Sequence, residues 1–349
     1  MTAHNAMLGW DIGGAHLKAA LVDDEGHALQ AIQVACPLWL GLHELNLAVA
    51  KVQDKLSHVP AQHAVTMTGE LADIFPDRES GVRQIAEVMN DVLHCKPRFF
   101  AGKHGLIAAT ELPAYLKDIA SANWLASATF VAGKLPQGLF VDIGSTTADL
   151  SLVRDGAVLN RGFSDAERMQ CEELVYTGVV RTPLMALAKR IPFAGEWQVV
   201  AAEHFATTAD IYRLTGELNP AEDMAETADG AAKTLHDSAR RMARMIGRDL
   251  ADVPHAAWEE LAYAFRQAQL DLLKSAALRQ LSRHQLASDA PLIGAGAGSF
   301  LVATLAAQLG RPFIDIGSLI RGYNAHSQRW ASVCLPAYAV ACLLNDNAV

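Results

Sequence analysis

The chain has 349 residues, 51% hydrophobic and 19% charged, which is long for one hydrophobic core and too apolar for a disordered chain. Its 29 Lys and Arg against 38 Asp and Glu give a net charge of −9 without basic runs or interleaved aromatics, which argues against a general nucleic-acid or membrane-surface binder. Five cysteines, odd in number and without C-x-x-C spacing, argue against a zinc site or disulfide framework and read as reduced thiols in the cytoplasm; no apolar run approaches the roughly 20 residues that span a bilayer.

In chain order, residues 8–22 read as a β-hairpin: an apolar run ending in Asp11, the small turn at Gly13 and Gly14, and an apolar return carrying Lys18. Residues 30–40 read as extended up to a bend at Cys36-Pro37, 43–56 as a helix, and 64–67 as a strand leading into the loop Thr68-Gly69-Glu70-Leu71. Residues 81–92 and 119–130 have helical patterns on either side of a short strand at 98–101. The hairpin pattern then restarts at 139–153, with Asp142 at the strand end and Gly144, Ser145, Thr146 and Thr147 at the tip. From about 160 to 280 the pattern is almost continuously helical, with 174–180, 183–189, 224–247 and 255–281 as the main candidates. Residues 291–298 run from a strand into a glycine turn at Gly294, Gly296 and Gly298 before a helix at 301–309, and 330–344 reads as a packing helix. Two α/β lobes with mixed sheets follow: residues 1–135, onto which a terminal helix at about 328–349 packs back, and residues 136–327, which carry the helical insertion at about 160–280.

The two hairpins carry the chemistry. Glycine at the tip lets peptide N–H groups approach an anion without an intervening Cβ, and an Asp at the strand end can hold a metal ion directly or through water, so facing copies would clamp a metal–polyphosphate. The alternative for either copy alone is an ordinary hairpin whose glycine supplies positive φ. The turn at 294–298 places N–H groups at a helix N-terminus, a further anion site. Its match to a dinucleotide fingerprint fails, because no acidic residue about 20 positions on follows a βαβ unit.

Two Asp–Gly hairpins and a late glycine turn, in this order, resemble the actin-like/sugar kinase/Hsp70 superfamily, and more narrowly its hydantoinase/oxoprolinase-like branch. The stretches 68–75 with Gly81-Val82, Asn123-Trp124, 175–183, 203–213 and 240–249 sharpen the match to the tetrahydromethanopterin-linked one-carbon-transfer pathway proteins, a group that includes a methanofuran-biosynthesis enzyme. The resemblance implies a cytoplasmic transferase of small molecules. It would join an aminomethylfuran methyl diphosphate to the phenol oxygen of γ-glutamyltyramine or a tyramine- or tyrosine-like acceptor, and release diphosphate. Magnesium is the implied cofactor; ATP fits such a clamp but is not required. Other readings of the same clamp are an ATP-dependent kinase, a hydantoinase/oxoprolinase-type hydrolase, or a non-catalytic ATP-binding regulator.

Under that resemblance, Asp11 and Asp142 would position Mg²⁺, and Gly13, Gly14, Gly144, Ser145, Thr146, Thr147, Gly294, Gly296 and Gly298 would line the diphosphate. Lys18 would meet the leaving group, and Arg181 would grip a phosphate or the glutamyl carboxylate. Glu70 or Asp73 would accept the phenol proton, because a phenol near pKa 10 is mostly neutral at pH 7. The plainer alternatives are turn-capping carboxylates at Asp11 and Asp142, a solvated Lys18, an N-cap at Asp73 and a surface ion pair at Arg181. The arginines at 240, 241, 244 and 248 read as a solvated helical face.

Overall fold

A computed structural model describes residues 6–93 and 95–346. The chain divides into two compact units. One runs to Gln137 and includes Val153–Arg168 and the chain from Asp315 on; the other comprises Gly138–Leu152 and Met169–Ile314.

The first unit is built on a six-stranded sheet of β1 (Met7–Ile12), β2 (His16–Val22), β3 (Ala28–Ala35), β4 (Gln62–Met67), β5 (Arg98–Phe100) and β6 (Leu106–Ala108), in the order β3-β2-β1-β4-β5-β6. β1 is antiparallel to β2 and parallel to β4, so the sheet is mixed. Every residue of β1 is buried, which explains why its sequence, apart from Asp11, is apolar rather than alternating. The helices His43–Gln53 and Arg78–Val92 contribute Leu45, Val49, Val82 and Ile85 to one core with Leu8, Trp10 and Ile12. The helix Leu335–Asp346 lies against β1, β2 and β4. A Cβ on Gly9 would stand 1.9 Å from the Ala337 carbonyl oxygen, so only glycine admits that helix so close to the sheet. The terminal helix expected over 328–349 is two helices, Ala325–Val333 and Leu335–Asp346, broken at Cys334; Pro336 sits in the first turn of the second, where its missing N–H costs nothing. Positions 347–349 lie outside the described residues.

The second unit repeats the order. With β7 (Gln137–Ile143), β8 (Ala148–Arg154), β10 (Leu174–Val175), β13 (Leu292–Ala295) and β14 (Phe313–Asp315), its sheet runs β10-β8-β7-β13-β14; β11 (Arg190–Phe193) and β12 (Glu196–Val199) form a separate two-stranded sheet, and β9 (Ala157–Val158), in the first unit, pairs with Val153 and Arg154. Counted from the hairpin along the main path, both sheets therefore share the order 3-2-1-4-5, to which the first adds β6 at its edge, and in both the fourth strand is parallel to the first. Within 160–280 the helices are Asp165–Cys171, Thr208–Leu214, Leu235–Met245 and His255–Leu281. The expected helix at 174–180 is instead β10, because Leu174 and Val175 pair with Asp149 and Ala148 and that tertiary pairing overrides local pattern. The expected helix at 183–189 is one 3₁₀ turn, Leu184–Ala186, followed by the β11–β12 hairpin. Ala194 and Gly195, with φ of 51° and 82°, make its two-residue turn. The expected helix at 224–247 starts only at Leu235, where the Thr234 side chain accepts from the Asp237 N–H.

Candidate active site

Asp11 ends β1 in the first unit and is 4% exposed. The Asn123 Nδ2 donates to its Oδ1 over 3.2 Å, and Lys18, half-buried on β2, lies directly opposite it in the ladder and so on the same face of the sheet. At the hairpin tip neither Gly13 nor Gly14 has positive φ, so backbone conformation does not require glycine there. A Cβ on Gly14 would meet nothing within 4 Å, and among the described residues nothing accepts from the Gly14 or Ala15 N–H. The loop therefore keeps an open approach and unspent donors, as an anion cradle needs.

Glu70 stands beside this loop. The Thr68 N–H donates to the Ile12 carbonyl at 2.9 Å, and a Cβ on Gly69 would stand 3.1 Å from that carbonyl oxygen, so the Thr68-Gly69-Glu70 turn is seated on the end of β1. Glu70 is 2% exposed; the Ser121 Oγ donates to its Oε1 at 2.6 Å, while its buried Oε2 has no hydrogen-bond partner. Burial pushes the Glu70 carboxyl above its ordinary pKa, and the Asp165 charge adds to this; the Ser121 hydrogen bond, the carboxyl's interaction with its own backbone N–H and the Arg78 charge oppose it. The Ser121 Oγ also lies 3.4 Å from the Asp165 Oδ2, to which the Arg78 Nη2 donates at 2.9 Å. Next to Asn123, the Trp124 ring carries the Arg168 guanidinium 3.9 Å from its centroid, both buried. Asp73 is exposed on a turn and caps nothing; the N-cap of the following helix is Asp77, which accepts from the Ser80 N–H at 2.8 Å.

In the second unit Asp142 ends β7, and a Cβ on Gly296 would stand 2.4 Å from its Oδ1. Gly296 has a φ of 76°, and the Gly298 N–H donates to the Ile143 carbonyl at 2.8 Å, so the late glycine turn is joined to the second hairpin. A Cβ on Gly294 would stand 2.8 Å from the Ser299 Oγ, which keeps the helix Ser299–Gln308 tight on β13. The Val179 N–H donates to the Gly144 carbonyl at 3.0 Å, and the Val180 and Arg181 N–H groups donate to the Ser145 carbonyl at 3.1 and 2.8 Å. This consumes carbonyls of the tip, while among the described residues nothing accepts from the N–H groups of Ser145, Thr146 or Thr147. The Arg181 side chain is exposed, although its backbone is pinned to the loop. Gly178 allows the approach, since a Cβ there would stand 2.4 Å from the Thr146 nitrogen.

The two hairpins thus recur with the same strand order and the same unspent tip donors. A family model for hydantoinase/oxoprolinase matches residues 62–328. The chain belongs to the hydantoinase/oxoprolinase family. The (4-{4-[2-(gamma-L-glutamylamino)ethyl]phenoxymethyl}furan-2-yl)methanamine synthase of Methanocaldococcus jannaschii is 31% identical over 244 residues, 70% of this chain and 72% of that protein. The synthase of the same name from Methanococcus vannielii is 29% identical over 147 residues, 42% of this chain and 66% of that protein. A nucleotide-free structure of acetone carboxylase covers 97% of this chain and 70% of its own at a TM-score of 0.53 and 11% identity, a likeness of fold alone. The fold is α/β, with two mixed sheets that share one strand order.

The hydantoinase/oxoprolinase match takes in Glu70, Ser121, Asn123, Asp142, Arg181 and the 294–298 turn; Asp11, Gly13, Gly14 and Lys18 precede it. Ser121, Asp165, Arg78 and Arg168 were not singled out from the sequence. Only the neighbouring Asn123-Trp124 pair pointed toward Ser121, and nothing local marks Asp165 or Arg168, which reach the cluster through tertiary packing. Among the described residues no group of three or more His, Cys, Asp or Glu is arranged to hold a metal ion. A magnesium ion held by one or two carboxylates, with phosphate and water supplying the rest, needs no such group.

Proposed function

We propose that the protein is a transferase that forms an aryl ether between an aminomethylfuran methyl diphosphate and the phenol oxygen of γ-glutamyltyramine or a close relative. The observation that carries this reading is the similarity to the named synthase over 70% of the chain. In the reaction the phenol oxygen bonds to the exocyclic carbon of the furan, the bond from that carbon to diphosphate breaks with its electron pair, and the phenol proton passes to Glu70. Glu70 suits that task because its Oε2 is buried and partnerless, and its raised pKa makes the ionised carboxylate a stronger base.

An electron-rich furan stabilises positive charge on its exocyclic carbon, so the barrier falls mainly by stabilising charge growing on the departing diphosphate. The N–H groups of Gly14 and Ala15, and those of Ser145, Thr146 and Thr147, supply donors suited to phosphate oxygens, and Lys18 and Arg181 supply cationic side chains. Asp11 in the first unit and Asp142 in the second are each a carboxylate suited to holding Mg²⁺, which when bound screens charge on the leaving group. The exposed Asp73 is the weaker candidate for the base.

Purified protein incubated with the furfuryl diphosphate, γ-glutamyltyramine and Mg²⁺, without ATP, should yield the aryl ether by mass spectrometry with matching release of diphosphate. ATP-dependent phosphorylation of an acceptor, without ether, would replace this reading with that of a kinase.

A further inference from the structure

Ser121 has a φ of 52°, in the left-handed region that non-glycine residues seldom adopt, and it falls inside the stretch 119–130 that the sequence reads as one helix, which therefore begins only at Asn123. A turn of this kind needs only glycine, yet a serine stands there, 6% exposed, with its hydroxyl between two acids. One hydroxyl has one proton to give. Arg78 already occupies the Asp165 Oδ2 at 2.9 Å, and the Ser121 Oγ is 0.8 Å closer to Glu70, at 2.6 Å against 3.4 Å, so that proton goes to Glu70 Oε1. The other oxygen, Oε2, is left buried and partnerless.

We propose that Ser121, Asp165 and Arg78 are positioning residues for Glu70: Ser121 pins one carboxylate oxygen so that the other faces the acceptor, and the Asp165–Arg78 pair sets how strongly the carboxylate holds a proton. The inference rests on Glu70 as the base of the proposed transfer. It gives the two members of the pair opposite effects. Asp165 raises the proton affinity of Glu70 and Arg78 lowers it, whereas a purely structural ion pair would make the two substitutions alike.

The test compares Ser121→Gly, which suits the backbone and removes only the hydroxyl, with Asp165→Asn and Arg78→Gln. Ser121→Gly should lower kcat about tenfold or more while the KM for the phenol changes little, as expected when a charge-assisted hydrogen bond to the base is lost. The acid limb of the rate profile should move down in pH in Asp165→Asn and up in Arg78→Gln and Ser121→Gly. The same midpoints can be read without substrate, by carbon-13 NMR of protein carrying labelled glutamate carboxyls, with the Glu70 signal assigned by its loss in Glu70→Gln. Shifts of opposite sign for the two partners support the proposal; a Glu70 midpoint unmoved in all three variants, or a Ser121→Gly enzyme with unchanged kcat, overturns it. If the wild-type protein makes no ether, the proposed transfer fails, and the NMR midpoints still decide the positioning.

Discussion

Gly81 and Glu70 are in backbone contact: a Cβ on Gly81 would stand 2.8 Å from both the carbonyl oxygen and the Cβ of Glu70. Gly81 is the fourth residue of the helix Arg78–Val92, where alanine would by itself favour the helix by about 1 kcal/mol. Gly81→Ala should nevertheless destabilise the protein, because the added methyl meets backbone that cannot rotate away, with overpacking of this kind costing about 1–3 kcal/mol. A melting temperature several degrees below wild type is expected in thermal denaturation; one equal to or above it would show that the turn carrying Glu70 yields freely.

His63 gives stability a second, acid-side dependence. The Trp10 Nε1 donates to its Nδ1 at 3.0 Å, a bond that requires this nitrogen unprotonated, and burial lowers the His63 pKa from 6.5 to about 4. The folded value lies below the unfolded one, so the unfolded chain binds a proton that the native state refuses as pH falls from 6.5 toward 4. The contribution is fully present above 6.5 and is lost progressively on acidification, up to about 3 kcal/mol. His63→Gln should remove that slope. Urea denaturation at pH 4.5 and pH 7 checks it: wild type and variant running parallel would mean that His63 is not the titrating group.

Arg241 is the centre of a buried network in the second unit rather than part of a solvated helical face. It is fully buried, and its Nε and Nη2 reach the Asp210 Oδ1 at 2.9 and 2.8 Å, while its Nη1 reaches the Asp229 Oδ1 at 3.0 Å. Asp210, 1% exposed, also accepts from the Arg213 Nη1 and the Ser238 Oγ, each at 2.8 Å. Arg241→Met should leave too little positive charge around Asp210 and cost about 3 kcal/mol or more, the range for breaking a buried pair from one side. A loss below about 1 kcal/mol in urea denaturation would mean that Arg213 alone compensates Asp210.

What the sequence discloses here follows the range of the forces involved. The two hairpins were legible because strand, Asp and small-residue tip lie within 15 consecutive positions, 8–22 and 139–153. The helix His255–Leu281 was legible because its pattern runs long enough to stand against its surroundings. Leu174–Val175 and the β11–β12 hairpin were not, since their strand state comes from partners elsewhere in the chain or from an alanine in the left-handed region. The site divides in the same way. Glu70 announces itself through the loop after β4, whereas Asp165 meets Ser121 and Arg78 from 44 and 87 residues away, without a motif of its own. The spacing of the arginines at 240–248 showed a helix face but not its direction, because burial of Arg241 depends on the irregular 215–234 segment that brings Asp229 over it.

Glu70 and Asp73 are the two candidate acceptors of the phenol proton in the proposed transfer. Glu70 is buried beside the Asp11 loop with a raised pKa, and Asp73, three residues on, is exposed on a turn. Glu70→Gln should therefore slow ether formation by about a hundredfold or more, within the range lost with a general base, while Asp73→Asn stays within about twofold of wild type. Binding of the furfuryl diphosphate should change little in either variant, since its leaving group would be held by the glycine loops rather than by these side chains. The Glu70→Gln defect should also shrink for a ring-fluorinated phenol, whose greater acidity reduces the help it needs in losing its proton. Steady-state rates for both variants with both acceptors check this. A defect of equal size for the two phenols would assign Glu70 to orientation of the acceptor, and wild-type rates in Glu70→Gln would move the proton to another acceptor, with the departing diphosphate first in line.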